Sequence, residues 1–226
     1  PCSMLIHLSD SAFNGTADIF VMSFSLKHMT MALYFTGIGG VFGAIHGLYV
    51  YRLNRLNMIL EELSVTDDLT SLFNRRYLLQ SLEKQMREAR RKEIPLSMIM
   101  IDLDHFKQYN DRNGHVMGDK LLETFAGLLK KTVRERDLMF RYGGEEFIVI
   151  LPDIKADDAE AMAENIRAEV EKYPFPNQEE QPTGNMTVSI GVAEISDDIN
   201  TEDDFIHEVD HALYKAKHQG RNKVCV

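Results

Sequence analysis

The stretch Asp137-Leu-Met-Phe-Arg-Tyr-Gly-Gly-Glu-Glu-Phe-Ile-Val-Ile-Leu151 decides how the C-terminal part of this chain folds. It reads as a β-hairpin, two apolar strands joined at Gly143-Gly144, a dipeptide suited to a tight turn. Glu145 and Glu146 follow that turn directly. Upstream, Ser97-Met-Ile-Met-Ile-Asp102 is apolar until its last residue, as a fully buried strand is, and it runs into Leu103-Asp104. If the two strands are neighbours, Asp102 and Glu145 converge, and carboxylate oxygens with a backbone carbonyl suit hard cations such as Mg²⁺. Paired ions held in this way serve phosphoryl transfer. A single acid at a strand end is more often just solvated, so the pair alone does not decide the chemistry.

Outward from the hairpin the hydrophobic period alternates. Helical spacing covers Leu72–Arg91, Lys120–Val133, Ala156–Lys172 and Thr201–Gln219, which closes on Gly220; Met186–Ile195 is a further strand. Tyr173–Gly184, with three prolines, is a loop. Strands interleaved with helices, one tight hairpin among them, predict an α/β (α+β) domain with a mixed sheet flanked by helices. The 226 residues carry 25 basic and 35 acidic side chains, a net charge of −10, which disfavours a nucleic-acid partner. Cys2 and Cys225, at opposite ends, can build neither a disulfide framework nor a Cys-based zinc site.

Charge is unevenly spread. Residues 1–51 hold only Asp10, Asp18 and Lys27, so 57 of the 60 charged side chains lie beyond them. From His28 to Tyr51 there are 24 residues without Asp, Glu, Lys or Arg, enough to span a bilayer as a helix. The alternative, a buried helix of a soluble protein, is opposed by Gly37, Gly39, Gly40, Gly43 and Gly47, which membrane helices tolerate more freely. Arg52 and Arg55 follow at once and place the C-terminal side in the cytoplasm. The expected organisation is an N-terminal segment of unassigned role (1–27), a transmembrane helix (28–51), a coiled-coil linker (52–65) and a cytoplasmic domain (66–226). Residue 1 is Pro, so the natural start is expected further upstream. Gly39, Gly43 and Gly47 share one helix face suited to close helix approach in lipid. Leu53, Leu56, Leu60 and Leu63 form a two-heptad seam, which fits either a parallel dimer or a helix packed on its own domain.

The motifs of the domain occur in a fixed order. They are Thr66-Asp-Asp-Leu-Thr-Ser-Leu-Phe-Asn-Arg-Arg76, Asp102-Leu-Asp-His-Phe-Lys107-Gln-Tyr-Asn110, Gly114-His115 with Gly118-Asp119, Arg141-Tyr-Gly-Gly-Glu-Glu-Phe147, and Asp210-His-Ala-Leu-Tyr214-Lys-Ala-Lys217-His-Gln-Gly220-Arg221-Asn222. This series resembles the GGDEF-domain diguanylate cyclases, with the signature written here as GGEEF, over essentially all of 66–226. The resemblance implies a palm-like nucleotidyl-cyclase fold that makes cyclic di-GMP from two GTP and releases two pyrophosphates. It implies that Asp102 and Glu145, joined by the carbonyl of Leu103, bind two Mg²⁺, with Mn²⁺ as an alternative ion. By the same resemblance Glu146 lies beside the reacting ribose and helps to deprotonate its 3′-hydroxyl. Asn110 and Asp119 read guanine, Lys107, Lys217 and Arg221 hold the triphosphate, and Gly143 and Gly144 let the backbone approach the nucleotide. The chemistry of Asp119 is apt, because a carboxylate accepts from guanine N1–H and N2–H₂, donors that adenine does not pair on that edge.

Arg134-Glu-Arg-Asp137 matches the family's RxxD product-inhibition motif in register with the signature, which implies an allosteric site for cyclic di-GMP. On the following helix, where the family often supplies further arginines, Ala161 and Asn165 stand instead, with Arg167 close by. The whole reads as a cyclase working as a homodimer in the inner membrane of a bacterium, its domain in the cytoplasm. Two rivals stand beside it: a silent cyclic di-GMP receptor using Arg134 and Asp137, and a cyclase of altered dinucleotide product.

Overall fold

The computed structural model describes residues 2–226, with side chains placed for 26–31, 33–56, 58 and 64–226. Pro1, on which the expectation of an upstream start rests, lies outside the described residues. The chain divides into two units, Pro1–Leu63 and Ser64–Val226.

The first unit is one helix, α1 (Cys2–Leu63), so the three N-terminal segments read from the sequence run on without a break. Within it Leu26–Leu56, with a mean hydropathy of 1.4, is long and apolar enough to cross a membrane. The five glycines do not interrupt it, and a Cβ at any of them would meet nothing within 4 Å. Leu53 and Leu56 are exposed; the side chains of Leu60 and Leu63, the other half of the seam, lie outside the described residues.

The second unit is a six-stranded mixed sheet in the order β1-β3-β4-β2-β5-β6. Its strands are β1 (Phe73–Asn74), β2 (Leu96–Leu103), β3 (Leu138–Gly143), β4 (Glu146–Pro152), β5 (Val188–Glu194) and β6 (Val224–Cys225). β2 is antiparallel to β4 and β5, and the two edge strands pair parallel to their neighbours. Helices α2 (Arg75–Lys92) and α6 (Glu202–His218) cover one face, where Met98, Met100, Ile148 and Ile150 point. Helices α3 (Phe106–Asn113), α4 (His115–Thr132) and α5 (Ala156–Lys172) cover the other, on Ile99, Ile101, Phe147 and Val149. Both faces being covered, β2 is buried along its whole length, which is why it reads as an unbroken apolar run.

Several expectations move. The helix expected from Leu72 begins at Arg75, because Phe73 and Asn74 extend the sheet beside β3 and the Asn74 side chain caps the helix by accepting from the Tyr77 amide. The hairpin loop is Gly144-Glu145 rather than Gly143-Gly144: Gly143 is the last residue of β3, paired with Glu146, and Gly144 takes the positive φ of +46°. The helix expected from Lys120 starts at His115, and α3 is an additional short helix before it. Ser64 and Val65, read as linker, already belong to the second unit, since Asn74 donates to the carbonyl of Ser64 through Nδ2 (2.8 Å) and to that of Val65 through its amide (2.9 Å).

Candidate active site

Strand alternation puts the acids together. Asp102 and Glu146 are cross-strand partners at the ends of β2 and β4, on the face that packs against α2 and α6. Glu145 sits in the hairpin loop, and its carbonyl accepts from the Leu103 amide at 3.3 Å, fixing the loop to the end of β2. α6 reaches this edge because Gly191 of β5 leaves it room. A Cβ there would lie 2.3 Å from the Val209 carbonyl oxygen and 2.4 Å from the Leu213 nitrogen. Laid that close, α6 delivers Lys217 to Asp102, Nζ to Oδ2 at 2.7 Å.

Burial pushes the carboxyls of Asp102, Glu145 and Glu146 above their ordinary range. The Asp102 charge raises both glutamates further, and Lys217 opposes the rise at all three. Arg221 opposes it at Asp102, while Asp210 of α6 adds to it at Glu146. The edge therefore carries more negative charge than its own lysine relieves, all of it on oxygen donors, which fits a hard divalent cation. Among the described residues no three His, Cys, Asp or Glu side chains are already gathered as a metal-holding group. Lys217 is what stands on Asp102 in their place.

On the other face of the sheet, the Asn110 side chain lies over Gly118, whose missing side chain makes the room: a Cβ would fall 1.8 Å from Asn110 Oδ1. That Oδ1 is buried without a hydrogen-bond partner. Asp119, one residue on, is exposed, and so are Lys107, Gly143, Gly144 and Arg221.

Arg134 and Asp137 grip each other. Arg134 donates to Asp137 from Nε (3.0 Å), Nη2 (2.9 Å) and its amide (3.2 Å), and the Asp137 side chain has no exposed surface. With Asp137 thus closed, the Arg134 side chain, 37% exposed, is the part of the motif open to a ligand. Ala161 and Asn165 are exposed on α5, while Arg167 is committed to Glu164, Glu171 and Asn222.

Some residues around the site went unread in the sequence. Asp104, next to the candidate metal ligands, is buried and accepts from Thr187 Oγ1 (2.8 Å), Ser189 Oγ (2.7 Å) and the Asn222 amide (3.1 Å). Its partners lie more than eighty residues away, so no local spacing announces it. Arg141 binds Asp67 at 3.2 Å and also donates to the Gly144 carbonyl at 2.9 Å, tying the start of the domain to the signature turn. Both residues stand in the quoted motifs, but neither spacing nor residue type pairs them.

Residues 64–223 match the family model of the diguanylate cyclase GGDEF domain. The chain is 42% identical over 174 residues to the response regulator PleD of Caulobacter vibrioides, an alignment covering 77% of this chain and 38% of that protein. It thus spans well under half the length of this curated relative. The GGDEF domain of DgcB from Caulobacter crescentus, solved in complex with c-di-GMP, superposes with a TM-score of 0.66 at 33% identity, covering 71% of this chain and 92% of that one. The active GGEEF domain of a diguanylate cyclase from Vibrio cholerae does so at 0.63 and 36% identity, covering 67% and 95%.

Proposed function

The chain belongs to the GGDEF diguanylate cyclase family, and on that premise we propose that its Ser64–Val226 domain condenses two GTP into cyclic di-GMP and two pyrophosphates. The observation that carries this reading is the meeting of Asp102, Glu145 and Glu146 at one sheet edge with Lys217 supplied by α6. An intact GGEEF signature, like that of the active Vibrio cholerae domain, weighs against a silent receptor.

Asp102, Glu145 and the Leu103 carbonyl would hold two Mg²⁺, with Mn²⁺ as an alternative. Bound ions would lower the barrier by activating the attacking 3′-oxygen and neutralising the leaving pyrophosphate. The chain's own residues do the positioning. Lys217 holds Asp102 before a cation arrives and the triphosphate after it, together with Lys107 and Arg221. Asn110 offers the buried, unpartnered Oδ1 to a guanine N–H, and Asp119 accepts beside it; a base that leaves such an acceptor unpaired is rejected strongly. Glu146 would lie at the ribose, where burial and the neighbouring Asp102 charge raise its carboxyl above the ordinary range and so make its carboxylate a better acceptor for the 3′-hydroxyl proton. The exposed Gly143 and Gly144 let the nucleotide lie on bare backbone.

Because each nucleotide is both attacker and target, two domains must face each other as a homodimer. The 28–51 segment would anchor the chain in the inner membrane of a bacterium, with the domain in the cytoplasm and the 52–65 segment as tether. Product would return to Arg134, held open by Asp137 beneath it. With Ala161 and Asn165 in place of arginines, the inhibited state gains little from the neighbouring helix.

The test is incubation of the full chain with GTP, ATP or both, followed by chromatography of the products. Cyclic di-GMP from GTP alone is expected. Glu145→Gln, which keeps shape but removes charge, should lower turnover by about 10²-fold or more while the fold survives. A wild-type rate in that variant would overturn the metal assignment; no product, or a mixed one, would favour a rival.

A further inference from the structure

The Gly220–Asn222 bend that follows α6 is left-handed at three consecutive residues, with φ of +110°, +61° and +45°. Glycine accepts this freely and asparagine more readily than most residues, whereas Arg221 adopts it only where the surroundings hold the bend. The hold falls on Asn222. Its amide donates to Asp104 Oδ2 at 3.1 Å, its Oδ1 accepts from Arg167 Nη1 at 2.8 Å, and its Nδ2 donates to Glu171 Oε1 at 2.8 Å. Arg167 is itself braced between Glu164 and Glu171 on α5. On the other side, Asp104 is pinned by Thr187 and Ser189. Arg221, in contrast, is exposed, and among the described residues its guanidinium has no hydrogen bond or ion pair, though its charge reaches Asp102. One residue is fully tied and its neighbour is free to meet a ligand.

We infer that Asn222 is a positioning residue for the phosphate end of the substrate, locking the bend between α5 and the end of β2 so that Arg221 is presented to the triphosphate. This deepens the proposed function and rests on its assignment of Arg221. Only phosphate binding should depend on the lock, because the guanine-side residues Asn110 and Asp119 are carried by α3 and α4.

The experiment measures affinity of the full chain for a non-hydrolysable GTP analogue and for GMP, together with KM and kcat, in Asn222→Gly, Arg221→Met and the double variant. Glycine keeps the positive φ while removing every side-chain tie. Arg221→Met should weaken the analogue by about tenfold or more, from the loss of a charge-assisted contact. Asn222→Gly should weaken it comparably and raise KM more than it lowers kcat, leaving GMP nearly unchanged. In the double variant the loss should be no greater than in Arg221→Met alone. Glu171→Ala, at a half-exposed site, should show the same pattern more weakly and serves if Asn222→Gly fails to fold. Equal weakening of GMP, additive losses, or wild-type affinity in both lock variants would overturn the inference. Wild-type affinity in Arg221→Met would instead remove the triphosphate assignment, and the inference with it.

Discussion

Asp67 has the kind of carboxylate whose value to the domain shows in its titration. Burial would raise its pKa, but hydrogen bonds from Thr70 and the Arg141 guanidinium overcome this and hold the carboxyl below its ordinary value of 3.8. A carboxyl depressed in the folded state stabilises that state above its unfolded pKa and loses the contribution as pH falls through the folded one. Asp67→Asn should therefore destabilise the domain by about 1–3 kcal/mol at pH 7, as expected for a hydrogen-bonded, partly buried charge. The gap to wild type should narrow as pH falls below about 3.8. Urea denaturation at several pH values measures it, and a gap that is constant with pH would mean the contact acts through shape alone. Since Arg141 also holds the Gly144 carbonyl, the same variant should loosen the signature turn.

Among the elements, α6 bears most on the site, and its place depends on an atom that is missing. Its backbone lies against Gly191 so closely that any side chain there must push it away. Gly191→Val should destabilise the domain by about 1–3 kcal/mol or more, as overpacking does. It should also part Lys217 from Asp102, so that activity falls further than the lost stability explains. Thermal unfolding and GTP turnover on the same sample test this; a stable variant with wild-type turnover would show that α6 can shift without carrying Lys217 off the edge.

For the molecule as a whole, the proposed reaction needs two domains to meet, so rate should follow their effective concentration. A short tether raises that concentration to about the millimolar range. The isolated 64–226 domain should accordingly be mainly monomeric when dilute and gain specific activity as it is concentrated. The full chain in lipid should work at its full rate when dilute. Leu53→Glu together with Leu56→Glu, at two exposed positions of α1, should return the full chain to the behaviour of the isolated domain, because like charges would face each other across a dimer seam. Sedimentation beside initial rates tests this. Specific activity of the domain that does not change with concentration would place dimerisation within the domain itself.

What the sequence determined by itself was whatever depends on near neighbours along the chain. The period-2 and helical patterns placed the hairpin, the buried strand β2 and α5, whose bounds Ala156–Lys172 came out as read. The motif order identified the family, and the strand ends pointed to Asp102 and Glu145 converging on the condition that β2 and β4 are neighbours, a pairing that the sheet supplies. Two-residue edge strands were beyond it, because a period cannot show in two residues. So were the choices made between distant segments: Lys217 on Asp102, Asp104 serving the fold rather than a ligand, and Asn222 tied to α5. Each of those side chains has a residue type equally suited to binding substrate. Burial and partner decide between the two roles, and both arise only when the sheet and its helices pack.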